Sequence, residues 1–409
     1  DINDENAYSE WSTPTSFTVD TTVTTATWYQ TTGDQFSTNS NQDIETTATQ
    51  AQITTTITEA MIAYGESTSF FPRYQIWNGS EWGDPRNALA TDALVRWLQL
   101  KAAPKRSEYA MATLGTDGDV NVQIYDSGTG LWGDMIELTT EIANPAYRSV
   151  DIAYETNSGD LMAVACSDDD ALYAIWDGTS WSATSSLALT KATDCQFIKM
   201  ASDPTSDEII AVFKNEITGA TDYEAYVWSG SSWGNNITLG DMSITANEGI
   251  AVEYEESGDQ AIVAVSNGGN ANFIYNTWNG TSWSGNLTSA LQDDFEHGVI
   301  SRDTGTDRLA MCAIDIDGQI SVTLWDGVAW GGYTTLDTTG NNQAGRPVSC
   351  EFETVGDRDG YLMVPYSDTV NARYQYYATS SYSGELNITG LNLNVGHGQH
   401  KPHERQMVL

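Results

Sequence analysis

Tryptophans set five residues apart are the first side chains in this sequence whose type and spacing suggest chemistry. Trp77 and Trp82, Trp176 and Trp181, and Trp278 and Trp283 each bracket a short polar string: Asn-Gly-Ser-Glu, Asp-Gly-Thr-Ser and Asn-Gly-Thr-Ser. An indole face left open on a polar, turn-rich surface is a platform on which a sugar ring stacks, so these six are the expected glycan contacts. The same pairs have a structural use, since two large rings facing each other across a hairpin clamp it and fill the space beside it. The pattern returns as Trp228/Trp233 and Trp325/Trp330, from end to end of the chain, so packing is the first expectation and stacking the second. A lectin is expected to add a polar fork, an Arg and a Glu per repeat, and the 11 scattered Arg show none.

Asparagines in the same turns offer a second chemistry. Asn78-Gly-Ser, Asn236-Ile-Thr, Asn279-Gly-Thr, Asn286-Leu-Thr and Asn387-Ile-Thr are acceptor sequons, the expected glycosylation sites. Acidic turns recur at Asp117-Gly-Asp119, Asp168-Asp-Asp170, Asp315-Ile-Asp-Gly318 and Ser367-Asp368. Ca²⁺ favours such oxygen clusters, but none of these has the full ligand spacing, and Asp-Gly is an ordinary turn dipeptide. No cofactor is expected, with Asp315 and Asp317 the weak Ca²⁺ candidates. His397, His400 and His403 are spaced for a transition metal, but in a polar terminus they read as a solvated tail.

Two strings imitate catalytic motifs. Gly230-Ser-Ser-Trp-Gly234 matches a nucleophile elbow and Gly128-Thr-Gly-Leu-Trp-Gly133 a dinucleotide loop, and each works only at a strand-to-helix turn. Both lie in the tryptophan phrase, where the pattern predicts a hairpin, so no catalytic residue is assigned. Paired carboxylates among the 56 Asp and Glu keep glycan cleavage as a third reading.

The elements that must position these side chains follow from the recurrence itself. The first aromatics fall at 29, 77, 125, 176, 228, 278, 325 and 377, spacings of 47 to 52 along the whole chain. Each phrase is a β-hairpin by its own chemistry: alternating apolar residues run into Asn-Gly, Asp-Gly or Ser-Gly, which accept positive φ, and an aromatic follows. Two further strand-like segments precede each phrase, as in Ser149 to Tyr154 and Leu161 to Ala165. Four short strands per 50 residues, here called A to D, make one propeller blade. The expected fold is an all-β propeller of seven, or eight, four-stranded blades. The expected division is an N-terminal arm or incomplete blade over 1–45, the propeller over 46–392 and a tail over 393–409.

The hairpins Tyr125-Asp-Ser-Gly-Thr-Gly-Leu-Trp132 and Trp176-Asp-Gly-Thr-Ser-Trp181 resemble the strand-turn-strand signatures of kelch-type and Asp-box-type propellers. The resemblance is one of blade architecture and implies the fold, not an activity.

The arm holds most of the 18 Thr found in the first 58 residues, and no Lys or Arg precedes Arg73. Its β-branched, period-two pattern reads as strand, and a strand donated to a neighbouring copy would build a filament. The four cysteines predict two bridges in equivalent places, Cys166 with Cys195 and Cys312 with Cys350, each tying one repeat to the next. Seventeen Lys and Arg against 56 Asp and Glu give a formal charge of −39, which repels phosphate backbones and anionic headgroups and excludes nucleic acid as a partner. No run of 18 apolar residues predicts a membrane span. The reading is a non-catalytic extracellular or cell-surface protein, a self-associating surface or filament subunit; its alternative is a carbohydrate-binding propeller with surface glycans as partners.

Overall fold

A computed structural model describes residues 44–48 and 59–387, with short breaks inside the second range. Most of the expected arm, and the whole tail with its three histidines, lie outside the described residues. Every regular element described is a β-strand, and the strands form seven antiparallel sheets in chain order. The sheets run from Ile44 to Asn87, Val95 to Thr139, Val150 to Ala188, Cys195 to Met242, Ile250 to Ala290, Phe295 to Asp337 and Glu351 to Asn387. Strands A to D of each pair in sequence order; in the seventh, Ser381–Tyr382 and Leu386–Asn387 share the D position beside strand C. Ile44–Ala48, which straddles the expected end of the arm, is strand A of the first sheet.

Strand A of each sheet lies beside strand A of the next, so the A strands gather at the middle and the D strands face outward. This is a β-propeller, as the repeat predicts. Strand B carries most of the core: Glu108–Gly115, Ala261–Ser266 and Leu309–Asp315 are buried at every position. A strand covered on both faces needs an almost continuous apolar run, and these segments have one. Alanines at 110, 112, 163, 165, 211, 264 and 310 are wholly buried in the B strands, where neighbouring sheets converge and a larger side chain would hold them apart. Near the middle, Lys199 Nζ donates to Gly298 O at 2.6 Å and lies 3.2 Å from Glu248, whose other oxygen is 3.5 Å from His297 Nδ1. That chain of polar side chains links the fourth, fifth and sixth sheets.

The true repeat is two sheets long. The residue three before the first hairpin aromatic alternates Tyr74, Val122, Tyr173, Ala225, Tyr275, Val322, Tyr374. The turns between strands A and B alternate as well. Asp207 of the fourth sheet accepts the N–H groups of Asn157 and Ser158 at 2.6 and 2.9 Å, and Asp307, one hundred residues on, accepts that of Ser257 at 2.8 Å. In both cases the sheet whose turn supplies the accepting aspartate follows the sheet whose turn supplies the amides.

Both expected disulfides are present. Cys166 of strand B in the third sheet joins Cys195, the first residue of strand A in the fourth, and Cys312 of strand B in the sixth joins Cys350, just before strand A of the seventh.

Candidate functional site

In each hairpin the two aromatics are placed directly opposite: Trp77 with Trp82, Trp176 with Trp181, Trp228 with Trp233, Trp278 with Trp283 and Trp325 with Trp330. The turn holds them there. In the third sheet Asp177 Oδ1 accepts the Thr179 hydroxyl and the N–H groups of Ser180 and Thr179, which lower its carboxyl to about 2, and Gly178 takes a φ of 90°. Asn279 and Asp326 make the same turn in the fifth and sixth sheets.

The first tryptophan of the hairpin is a fastener between sheets. Trp228 Nε1 donates to Glu155 at 2.6 Å, Trp278 Nε1 to Glu208 at 2.6 Å and Trp325 Nε1 to Glu255 at 2.6 Å; Trp176 Nε1 reaches Glu108 at 3.4 Å. Each glutamate belongs to the preceding sheet. Burial raises the Glu155, Glu208 and Glu255 carboxyls, the last to about 7, despite the stabilising N–H bonds. The glutamate stands just after strand A in the third and fifth sheets and at or just before the start of strand B in the second and fourth, another alternation with a period of two.

The second tryptophan of the hairpin sorts the clefts between sheets into two kinds. Trp181 and Trp283 donate to the carbonyls of Asp134 and Asn235 at 2.5 and 2.6 Å, across the second-to-third and fourth-to-fifth clefts. Asp134 and Asn235 both take φ of 46°, the described non-glycine residues with positive φ. In the other clefts Trp132, Trp233 and Trp330 have buried Nε1 groups without a hydrogen-bond acceptor. Each instead makes a T-shaped contact with a ring of the preceding sheet: Trp132 with Tyr74 at 5.7 Å, Trp233 with Tyr173 at 6.0 Å and Trp330 with Phe273 at 5.6 Å. Those three clefts, first-to-second, third-to-fourth and fifth-to-sixth, are aromatic on both walls.

The expected stacking residues divide accordingly. Trp176 and Trp278 are 3% and 1% exposed, sealed between sheets by the glutamate contact, so their faces are not open to a sugar. Trp77, Trp82, Trp181 and Trp283 are half-buried and present an edge or face at the rim. Of the sequon asparagines, Asn78, Asn236, Asn279 and Asn286 are exposed and Asn387 ends the last described strand. Asp315 Oδ1 accepts the N–H groups of Asp317 and Gln319 at 3.0 and 2.8 Å, an ordinary acidic turn, and among the described residues no three acidic, His or Cys groups gather to hold a metal. The two catalytic look-alikes lie in strand C to D turns, as their place in the repeat predicts.

No protein-family model matches this chain, and no curated protein is similar to it in sequence. Solved structures are similar in fold. A BP39L lectin from Burkholderia pseudomallei superposes with a TM-score of 0.58 and 13% identity, over 86% of this chain and 99% of that one. AofleA from Arthrobotrys oligospora gives 0.43 and 9%, over 86% and 95%, and the six-bladed Aleuria aurantia lectin 0.42 and 12%, over 75% and 96%.

Proposed function

We propose that the protein is a non-catalytic, carbohydrate-binding propeller that works outside the cell or on its surface. The observation that carries this reading is the outer rim: half-exposed indoles, each braced by a second aromatic, stand beside exposed amides and hydroxyls at the mouths of successive clefts. Such a surface, flat and apolar with polar groups at its border, suits the mixed faces of a sugar ring. A lectin shares the fold over nearly its full length, which supports the reading. The two disulfides support an oxidising compartment, and the exposed sequon asparagines are the proposed glycan acceptors. Binding of the full chain to an immobilised glycan array, followed by saturation-transfer NMR with the best ligand, tests this. Magnetisation passing from tryptophan rings to ring protons of the sugar is the expected result. A chain that binds no glycan on the array overturns it.

A further inference from the structure

The cleft between the first and second sheets departs from the four that follow it. In the four clefts from the second sheet to the sixth, the first hairpin aromatic is a tryptophan bonded to a glutamate. Between the first and second sheets it is Tyr125, and the glutamate in the corresponding place, Glu59, instead accepts the Ser127 hydroxyl at 2.9 Å. Tyr125, Tyr74 and Trp132 form a cluster of three rings, with centroids 5.3 to 5.7 Å apart. The Tyr74 and Tyr125 rings are buried, yet neither phenol oxygen takes a hydrogen bond from the protein and neither is sealed from solvent.

Directly opposite Tyr74 on strand D stands Arg86, exposed and without an ion pair among the described residues. Residues facing each other on antiparallel strands project from the same side of the sheet, so Arg86 shares the Tyr74 side. Its guanidinium lowers the Tyr125 hydroxyl, which burial and the nearby Tyr74 and Glu59 push up to about 12. The corresponding residue is Ser185 opposite Tyr173 and Leu287 opposite Tyr275. Only this one of the three aromatic clefts therefore carries a cationic fork.

Resting on the glycan-binding reading, we infer that the cleft formed by Tyr74, Arg86, Tyr125 and Trp132 is the principal sugar subsite, and that it takes an uncharged sugar through a pair of adjacent hydroxyls. A guanidinium offers two parallel N–H donors, which match vicinal oxygens. The phenols add donors that can also accept, at oxygens open to solvent, and the buried Trp132 backs both tyrosine rings and holds them in place. Charge selects against acidic sugars: Glu59 and Asp126 flank Tyr125, and the whole chain carries −39.

The test is calorimetric titration of the full chain with methyl glycosides of neutral hexoses, a 6-deoxyhexose and glucuronic acid. The expected result is a tightest site selective for a neutral glycoside, weakened roughly tenfold by Arg86→Ala and severalfold by Tyr125→Phe, with the thermal midpoint of Arg86→Ala unchanged. Ser185→Arg is expected to strengthen the matching cleft between the third and fourth sheets. Neutral-sugar binding that survives both Arg86→Ala and Tyr125→Phe leaves the lectin reading standing and overturns the subsite. Tighter binding of the glucuronide overturns the choice of an uncharged ligand. A wild-type chain that binds none of these glycosides, nor any glycan on the array, ends both readings.

Discussion

A tryptophan here does one of three jobs, and its indole nitrogen tells which. Trp228 gives its N–H to a buried carboxylate, Trp181 to a backbone carbonyl, and Trp330 to no acceptor. Phenylalanine keeps a ring and removes the donor, so Phe substitutions order these jobs by cost. Trp228→Phe leaves Glu155 short of a partner where water is scarce and is expected to cost about 1 to 3 kcal/mol. Trp181→Phe frees one carbonyl at the rim and should cost less, and Trp330→Phe least, since it has no acceptor to lose. Urea midpoints of the three variants measure this order; a Trp330→Phe as damaging as Trp228→Phe would show that ring volume, not the N–H, sets the cost.

At the scale of the element, the hairpins were legible because a tight turn demands residues that write themselves into sequence: Gly178 and Gly327 sit at φ of 90° and 95° where the string reads Asp-Gly. Strand B was legible for a similar reason, its apolar runs being the mark of burial on both faces. The fasteners between sheets were not. Glu155 and Glu208 lie more than 60 residues from the tryptophans that they bind, in different places of their turns, and 56 acidic residues hide them. Arg86 was equally anonymous, because its meaning comes from facing Tyr74. The Tyr, Val and Ala alternation was present in the string, but a 50-residue period averages it away. The disulfides were legible because both repeat one relation between strand B and the next strand A. They close loops of 29 and 38 residues, worth about 4 kcal/mol each by restriction of the unfolded chain. Serine pairs at 166/195 and at 312/350 are each expected to lower stability by up to that amount in chemical denaturation, with the two effects additive, since the bridges tie different pairs of sheets.

For the whole molecule, the same buried glutamates set a pH dependence. Burial raises the Glu255 carboxyl to about 7 and lifts Glu155 and Glu208 in the same direction, so the folded chain holds these protons more tightly than the unfolded one. Their contribution is full below the ordinary carboxylate range and is lost as pH rises toward about 7. Asp177 and Asp326, lowered by their turns, act only under more acidic conditions. The thermal midpoint is therefore expected to be higher at pH 5.5 than at pH 8, and Glu255→Gln, which keeps an oxygen for the Trp325 N–H, is expected to flatten that difference. A midpoint that rises between those two values would contradict the assignment.

The alternation of sheets has an arithmetic consequence. Like the two colours of a checkered band, the tyrosine-bearing and tyrosine-lacking sheets can take turns without conflict only around an even number. The described sheets number seven, and Tyr74 and Tyr374 mark the first and last of these as the same colour. A direct meeting of those two sheets would therefore be a seam of like with like, unlike the six described junctions between them, and the rules that fasten those interior pairs would not carry over to it.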